Sequence, residues 1–210
     1  MKEKRILITG FLPFLGESLN PSQILLERIK RDLSLQDQID TLLLPVSFQQ
    51  AGALLLQRLS LHRYEAVLML GQAGGRKRIS LEQVALNWIE TEKPDEDGFT
   101  PHRGAIAPQS EAAYFTDLPL PQWQKLLEDS QVPAEISLSA GGYVCNHIYY
   151  QTLNAIREQG LPVQACFIHV PYLPEQTVGK AAETPSMGLD QMEKGIHLIL
   201  KALIDKPISK

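Results

Sequence analysis

The run AEISLSAGGYVCNHIYYQTLNAIREQ, residues 134–159, reads in three parts: a short β-rich stretch (134–139), a turn carrying Gly141 and Gly142, and a segment with apolar residues at helical spacing. Strand, glycine turn and helix make the building unit of an α/β protein, and two residues without Cβ let the chain turn tightly. Cys145 falls at the start of that helix. Unpaired N–H groups and the positive end of the helix macrodipole favour a thiolate there. The reading therefore expects a lowered thiol pKa and N–H groups able to hold an oxyanion. The alternative is a small buried hydrophobe, the common fate of a free cysteine.

Outward from this unit, short apolar runs alternate with longer amphipathic segments. That pattern predicts an α/β fold: an open, twisted, mainly parallel sheet with helices on both faces (α/β/α), in one domain over residues 1–210. Residues 5–9 read as the first strand. Asn20 caps a helix with Pro21 at its first position, ending near Arg31, and residues 39–46 form the next strand. Ser47 caps a second helix, and AVLMLG (66–71) is a buried strand. RISLEQVALNW (78–88) alternates like a half-exposed strand. From 90 to 119 the pattern fails among Pro94, Pro101, Pro108 and Pro119, which reads as a hairpin or an excursion from the sheet. A helix over about 120–130, the strand–turn–helix unit, a strand over 163–170 and a last helix from about Ser186 to Ile204 complete the chain.

The chain has 210 residues, 44% of them hydrophobic and 21% charged, enough to bury a sizeable core. A net charge of −4 without a basic cluster interleaved with aromatics argues against nucleic acid or an anionic membrane as partner. The short GRKR (75–78) reads as a solvated loop. Two cysteines, Cys145 and Cys166, cannot form a disulfide scaffold and lack the spacing of a metal site. The amino terminus reads as a strand rather than a signal peptide, and no stretch approaches the roughly 18 apolar residues that span a bilayer. A cytoplasmic protein is expected.

A cysteine nucleophile needs a base, usually a histidine oriented by a third polar group. His147 is nearest in sequence, but at i+2 on a helix it points away from Cys145. His169 ends the apolar strand CFIHV just before Pro171. Open parallel sheets bind ligands outside the carboxyl ends of their strands, so Cys145 and His169 can meet there. A backbone-bonded strand-end histidine is the competing reading. Glu82 is an acid inside an otherwise apolar alternating strand. It is either buried with a partner or solvated on a polar face.

Four blocks, TGFLPFLGESLNPS (9–22), GQAGGRKRISLEQVALN (71–87), SAGGYVCNHIYY (139–150) and FIHVPYLPEQ (167–176), stand in the order and spacing of one family. The chain resembles the pyroglutamyl peptidase I (pyrrolidone-carboxylate peptidase) family of cysteine exopeptidases over essentially its full length. The resemblance implies a triad of Cys145, His169 and Glu82, no metal or cofactor, a homo-oligomer, and peptides with an N-terminal pyroglutamate as substrate. Such a lactam ring calls for an apolar, aromatic slot with a few polar groups. By the same resemblance Phe11, Phe14, Tyr143 and Val144 line that slot, while Asn20 and the backbone around Gln72 face its polar edge. Core packing is the other reading of Phe11 and Phe14.

Three positions depart from the family pattern. Leu15 replaces a glycine, Tyr143 stands where phenylalanine is common, and Glu92 and Lys93 occupy the place of an arginine and its apolar neighbour. Either Lys93 supplies the missing charge, or the segment is displaced. Beside the peptidase reading stand a non-catalytic binding relative and a hydrolase acting on another lactam or N-blocked amide.

Overall fold

The computed structural model describes residues 5–205. In chain order the elements are β1 (Ile6–Phe11), α1 (Pro21–Arg31), β2 (Ile39–Leu44), α2 (Gln50–Leu61), β3 (Ala66–Gln72), β4 (Ile79–Glu82), β5 (Val84–Leu86), β6 (Ala113–Phe115), α3 (Leu120–Asp129), β7 (Ala134–Ser137), α4 (Val144–Gln159), β8 (Gln164–Val170) and α5 (Leu189–Asp205). Six strands form one sheet in the order β2-β1-β3-β8-β4-β7, and β5 pairs with β6 in a separate ribbon.

Every neighbouring pair in the large sheet is parallel except β4 with β8. The sheet is mainly parallel, as the pattern predicts, but β4 and β7 run against the other four strands. This corrects one step of the sequence argument, which places all strand carboxyl ends at one edge. Because β7 opposes β8, residues 138–143 must fold back over the sheet to bring Cys145 above the end of β8.

Local chemistry accounts for the helix boundaries. Asn20 Oδ1 accepts the Ser22 N–H at 3.0 Å ahead of Pro21, so α1 starts where the cap was expected. Ser47 Oγ accepts the Gln50 N–H at 3.0 Å, capping α2 across a short turn. Gly160, at φ 60°, ends α4 in the left-handed conformation that a glycine adopts without strain. α5 starts at Leu189 rather than near Ser186, because Ser186 is bridged to Tyr172 and the Met187 N–H is taken by the Tyr172 carbonyl at 2.9 Å.

The expected half-exposed strand over 78–88 is two buried pieces. The Gln83 N–H still bonds the Ser137 carbonyl at 2.8 Å, whereas the Gln83 carbonyl accepts from Thr116, so the chain leaves the large sheet at this residue. Helices cover both faces of β4, which is why its alternation does not mark a solvent face. Ile6, Ile8, Leu68, Leu70 and Ile168 pack under α1, α3 and α5. Leu7, Phe11, Val67, Met69 and Phe167 pack under α2 and α4. No helix among the described residues is long and apolar enough to cross a membrane.

Gly10 shows how closely the first layer is packed. A Cβ there would lie 2.6 Å from the Ser22 carbonyl oxygen, which belongs to the backbone of α1 and cannot rotate aside. Gly10→Ala is expected to destabilise the fold by about 1–3 kcal/mol, the usual cost of overpacking. The urea midpoint reads this directly, and an unchanged midpoint would show that β1 and α1 part freely.

Candidate active site

β3 and β8 pair so that His169 stands opposite Gly71, and residues in register on neighbouring strands share a face. A Cβ on Gly71 would lie 2.6 Å from Phe167 Cζ and 3.2 Å from Cys145 Sγ. Glycine at this position thus leaves room for the thiol. Cys145 and His169 look into the same space, with the His169 ring against Phe167 at 4.7 Å between centroids.

Glu82 ends β4 on that same face. His169 Nδ1 donates to Glu82 Oε1 at 2.7 Å, and both side chains are buried. The bond assigns the Nδ1–H tautomer, so Nε2 is the nitrogen left to take a proton from the thiol. Of the two readings of Glu82, the buried acid with a partner is the one observed. A second partner went unread in the sequence: Arg76 donates through Nη1 to Glu82 Oε1 at 2.7 Å and through Nη2 to the Ser139 carbonyl at 2.8 Å. For Arg76 this overturns the solvated-loop reading of GRKR. The only sequence signal was an arginine six residues before a buried acid.

Cys145 is the second residue of α4, whose cap residue Tyr143 offers no side-chain acceptor. Among the described residues no protein acceptor takes the N–H groups of Val144 or Cys145. The expected oxyanion cradle is therefore open, but the expected low thiol pKa is not found. Burial pushes the Cys145 thiol up to about 12 and the Glu82 carboxylate pushes the same way, with Arg76 and the residue's own N–H opposing. A helix terminus contributes about 0.3–1 kcal/mol, less than one pKa unit, whereas burial can move a group by 3–5 units. Burial likewise holds the His169 imidazole below its ordinary range, against the Glu82 bond that raises it. Thiol and imidazole are both neutral at pH 7.

The residues expected around the slot divide into two sets. Phe14 and Tyr143 stack at 6.4 Å, and Phe48, unread in the sequence, meets Tyr143 edge-on at 5.3 Å. Phe11 and Val144 are core residues behind that wall, 2% and 0% exposed. The Asn20 side chain is turned to the backbone: its Nδ2 donates to the Leu12 carbonyl at 3.0 Å while its Oδ1 caps α1. Gln72 Oε1 accepts from Gln176 Nε2 at 2.9 Å, which leaves the backbone of Gln72, rather than its side chain, as the polar edge. A polar cleft of about 350 Å³ beside β6, lined by residues such as Gln109, Glu111 and Glu158, holds none of these groups. No cluster of three or more His, Cys, Asp or Glu among the described residues is placed to hold a metal ion.

The departures have structural counterparts. Leu15 takes a left-handed backbone, φ 52°, in which a glycine would be unstrained, and its N–H bonds Glu96 Oε1 at 2.7 Å. The added Tyr143 hydroxyl donates to the Pro94 carbonyl at 2.8 Å. The Glu90 N–H meets the Gly142 carbonyl at 3.1 Å, so the segment around 90–94 lies against the nucleophile turn. Asp95, buried, pins that segment by accepting the Phe48 N–H at 2.9 Å. Glu92 and Lys93 themselves are exposed. Asn146 on α4 steadies the stretch before them, bonding the Leu86 N–H and the carbonyls of Leu86 and Trp88.

Helices on both faces of a mainly parallel sheet, with a helix-start cysteine over a carboxylate-bound histidine, define an α/β/α protein with a thiol site. The chain belongs to the pyroglutamyl peptidase family, whose sequence profile matches residues 4–206. It is 43% identical to a pyrrolidone-carboxylate peptidase of Gloeobacter violaceus over 95% of this chain and 96% of that protein. It is 39% identical to pyrrolidone-carboxylate peptidase 1 of Caldanaerobacter subterraneus over 95% of this chain and 98% of that one. The crystal structure of pyrrolidone carboxyl peptidase from Fervidobacterium islandicum superposes with a TM-score of 0.92 at 36% identity, covering 97% of this chain and 99% of that chain.

His147 turns away from the thiol, as its helix position predicts, and packs edge-on against Phe48 at 5.2 Å with Nδ1 unpartnered. Burial pushes it down from 6.5 to about 4. Between those values the unfolded chain binds the extra proton, so stability falls as pH drops from about 6.5 to about 4. The shift corresponds to about 3 kcal/mol at 1.36 kcal/mol per unit. His147→Phe is expected to flatten this part of the pH dependence in paired denaturation series, and parallel curves for both proteins would refute a buried neutral His147.

Proposed function

We propose that this chain hydrolyses the amide bond that follows an N-terminal pyroglutamate, by acyl transfer through Cys145, His169 and Glu82. Membership of the pyroglutamyl peptidase family supports the substrate class. The single observation that carries the mechanism is the buried 2.7 Å bond from His169 Nδ1 to Glu82 on the face where Cys145 Sγ sits. It leaves a basic nitrogen toward a thiol at an uncapped helix start.

Because thiol and imidazole rest neutral, the proton moves as the bond forms. Sγ attacks the pyroglutamyl carbonyl carbon while His169 Nε2 takes the thiol proton, and Glu82 stabilises the imidazolium. The Cys145 N–H donates to the developing oxyanion. Collapse breaks the C–N bond, the leaving amine takes the proton from His169, and a thioester remains. Water then attacks the thioester with His169 again as base, releasing pyroglutamate and restoring the thiol. Phe14, Tyr143 and Phe48 supply apolar ring contacts for the lactam, and the backbone of Gln72 beside Gly71 supplies its polar edge. Chemistry by a reduced thiol suits the cytosol, and both cysteines are free.

Release of a fluorogenic amine from a pyroglutamyl amide, set against prolyl and alanyl amides, tests the reading. Turnover of the pyroglutamyl amide alone is expected. A folded chain that binds it without cleavage would instead establish a binding relative.

Cys145→Ala should lower kcat by roughly 10⁴-fold or more, as loss of a triad nucleophile does. Cys166→Ala should retain activity, because Cys166 is fully buried on the opposite face of the sheet. Iodoacetamide that labelled Cys166 in step with inactivation would reverse the assignment. Lys93 is exposed and is not among the charges that bear on the Cys145 thiol. Lys93→Ala is expected to change kcat by less than about threefold, whereas losing an oxyanion donor costs about a hundredfold or more. A loss of that larger size would make Lys93 an oxyanion donor.

A further inference from the structure

We propose that Arg76 is a positioning residue of this site, holding Glu82 as a hydrogen-bond acceptor and fastening the nucleophile turn to the point where the sheet reverses direction. The proposal rests on the triad reading above. Glu82 is 0% exposed, and among the described residues its only side-chain partners are His169 Nδ1 and Arg76 Nη1, both on Oε1, with none on Oε2. A buried carboxylate stays charged only beside a cation. Arg76, 2.7 Å from Oε1, is the permanent cation beside this carboxylate.

The tautomer follows from that charge. An ionised Glu82 accepts from His169 and fixes the proton on Nδ1. A protonated Glu82 could donate to Nδ1 instead, leaving the imidazole proton on Nε2, where it blocks uptake of the thiol proton. Wrong-tautomer loss is large in triads of this logic.

The second arm of the guanidinium has a separate task. Since β7 opposes β8, residues 138–143 must fold back over the sheet; the Tyr143 hydroxyl holds the far end of this turn to the Pro94 carbonyl at 2.8 Å, whereas the ties within its first half are long, Ser139 N–H to Ser137 Oγ at 3.3 Å and Gly141 N–H to Ser139 Oγ at 3.2 Å. The Arg76 bond to the Ser139 carbonyl, at 2.8 Å, is the short tie on that first half. A planar fork reaches both acceptors at once, and an ammonium cannot reproduce that geometry.

The groups facing His169 and Cys145 are few. Glu82 comes from β4, Arg76 from the β3–β4 loop, and Tyr149 from α4, its hydroxyl donating to the Glu82 carbonyl at 2.9 Å. Tyr143 precedes α4 beside Cys145, and Glu135 on β7 accepts from Ser80 at 2.9 Å, while Cys166 reaches the Glu82 carbonyl from the opposite face of the sheet. Tyr149 and Cys166 are held neutral at pH 7 by burial.

Arg76→Ala and Arg76→Lys test this, with thermal melts confirming the fold. Readouts are pyroglutamyl-amide kinetics and the pH dependence of iodoacetamide alkylation at Cys145. Arg76→Ala is expected to lower kcat about a hundredfold with KM within about threefold. It should also move the alkylation profile to higher pH, since the cation that favours the thiolate is gone. Millimolar guanidinium should restore part of both, because the Arg76 side chain is 26% exposed and its space opens to solvent. Arg76→Lys should keep the alkylation profile and recover kcat incompletely. If Arg76→Ala does not fold, that split in Arg76→Lys is the test, and wild-type kcat in a folded Arg76→Lys overturns the fork. In a Glu82→Gln background Arg76→Ala should add only the smaller loss that comes from freeing the Ser139 carbonyl, well short of its hundredfold effect alone, since the tautomer is already lost. A folded Arg76→Ala with unchanged kcat and alkylation profile, or a full additive loss on Glu82→Gln, overturns the proposal. A parent chain that cleaves no pyroglutamyl amide but whose alkylation depends on Arg76 overturns the function alone.

Discussion

A carboxylate without solvent exposure stands where the sheet changes direction, and the site is organised around the two groups that bond it. Glu82 closes β4, the strand that runs against β8, and meets His169 and Arg76 through one oxygen. Through His169 it sets which imidazole nitrogen faces the thiol. Through Arg76 it is joined to the turn that delivers Cys145. Removing Arg76 would leave a buried carboxylate without its counter-charge, the kind of loss that proteins tolerate poorly.

The nucleophile shows two effects in opposition. The start of α4 favours a thiolate, but enclosure against Gly71 and Phe167 and the nearby Glu82 carboxylate favour the thiol. Desolvation is the larger effect, so the resting pair is neutral, which in the proposed mechanism makes the histidine a general base. In the proposed mechanism the helix start acts later, when its uncapped N–H groups meet the charge that develops on the substrate oxygen.

The positions that depart from the family pattern are absorbed by the backbone. Leu15 keeps a left-handed conformation that a glycine would take without strain, and its N–H is held by Glu96. Tyr143 uses its additional hydroxyl to hold the Pro94 carbonyl, which draws residues 90–94 against the nucleophile turn. Glu92 and Lys93 project outward from that segment, so an arginine is lost there without a carboxylate being turned on the thiol.

The sequence by itself determined the alternation of strands and helices, the caps at Asn20 and Ser47, the helix-start cysteine, and the strand-end histidine, because each depends on neighbours within a few residues. It also flagged Glu82, as an acid among apolar neighbours, though not the partner that Glu82 takes. Only the tertiary structure decided that β4 runs against β8, that residues 78–88 break at Gln83 into two sheets, and that Phe48 and Arg76 join the site. It likewise turned Phe11, Val144 and the Asn20 side chain to structural use and reversed the expected thiol pKa. These outcomes depend on which strands pair and on how much water is excluded between them. Both are set by contacts many tens of residues apart, which local periodicity does not encode.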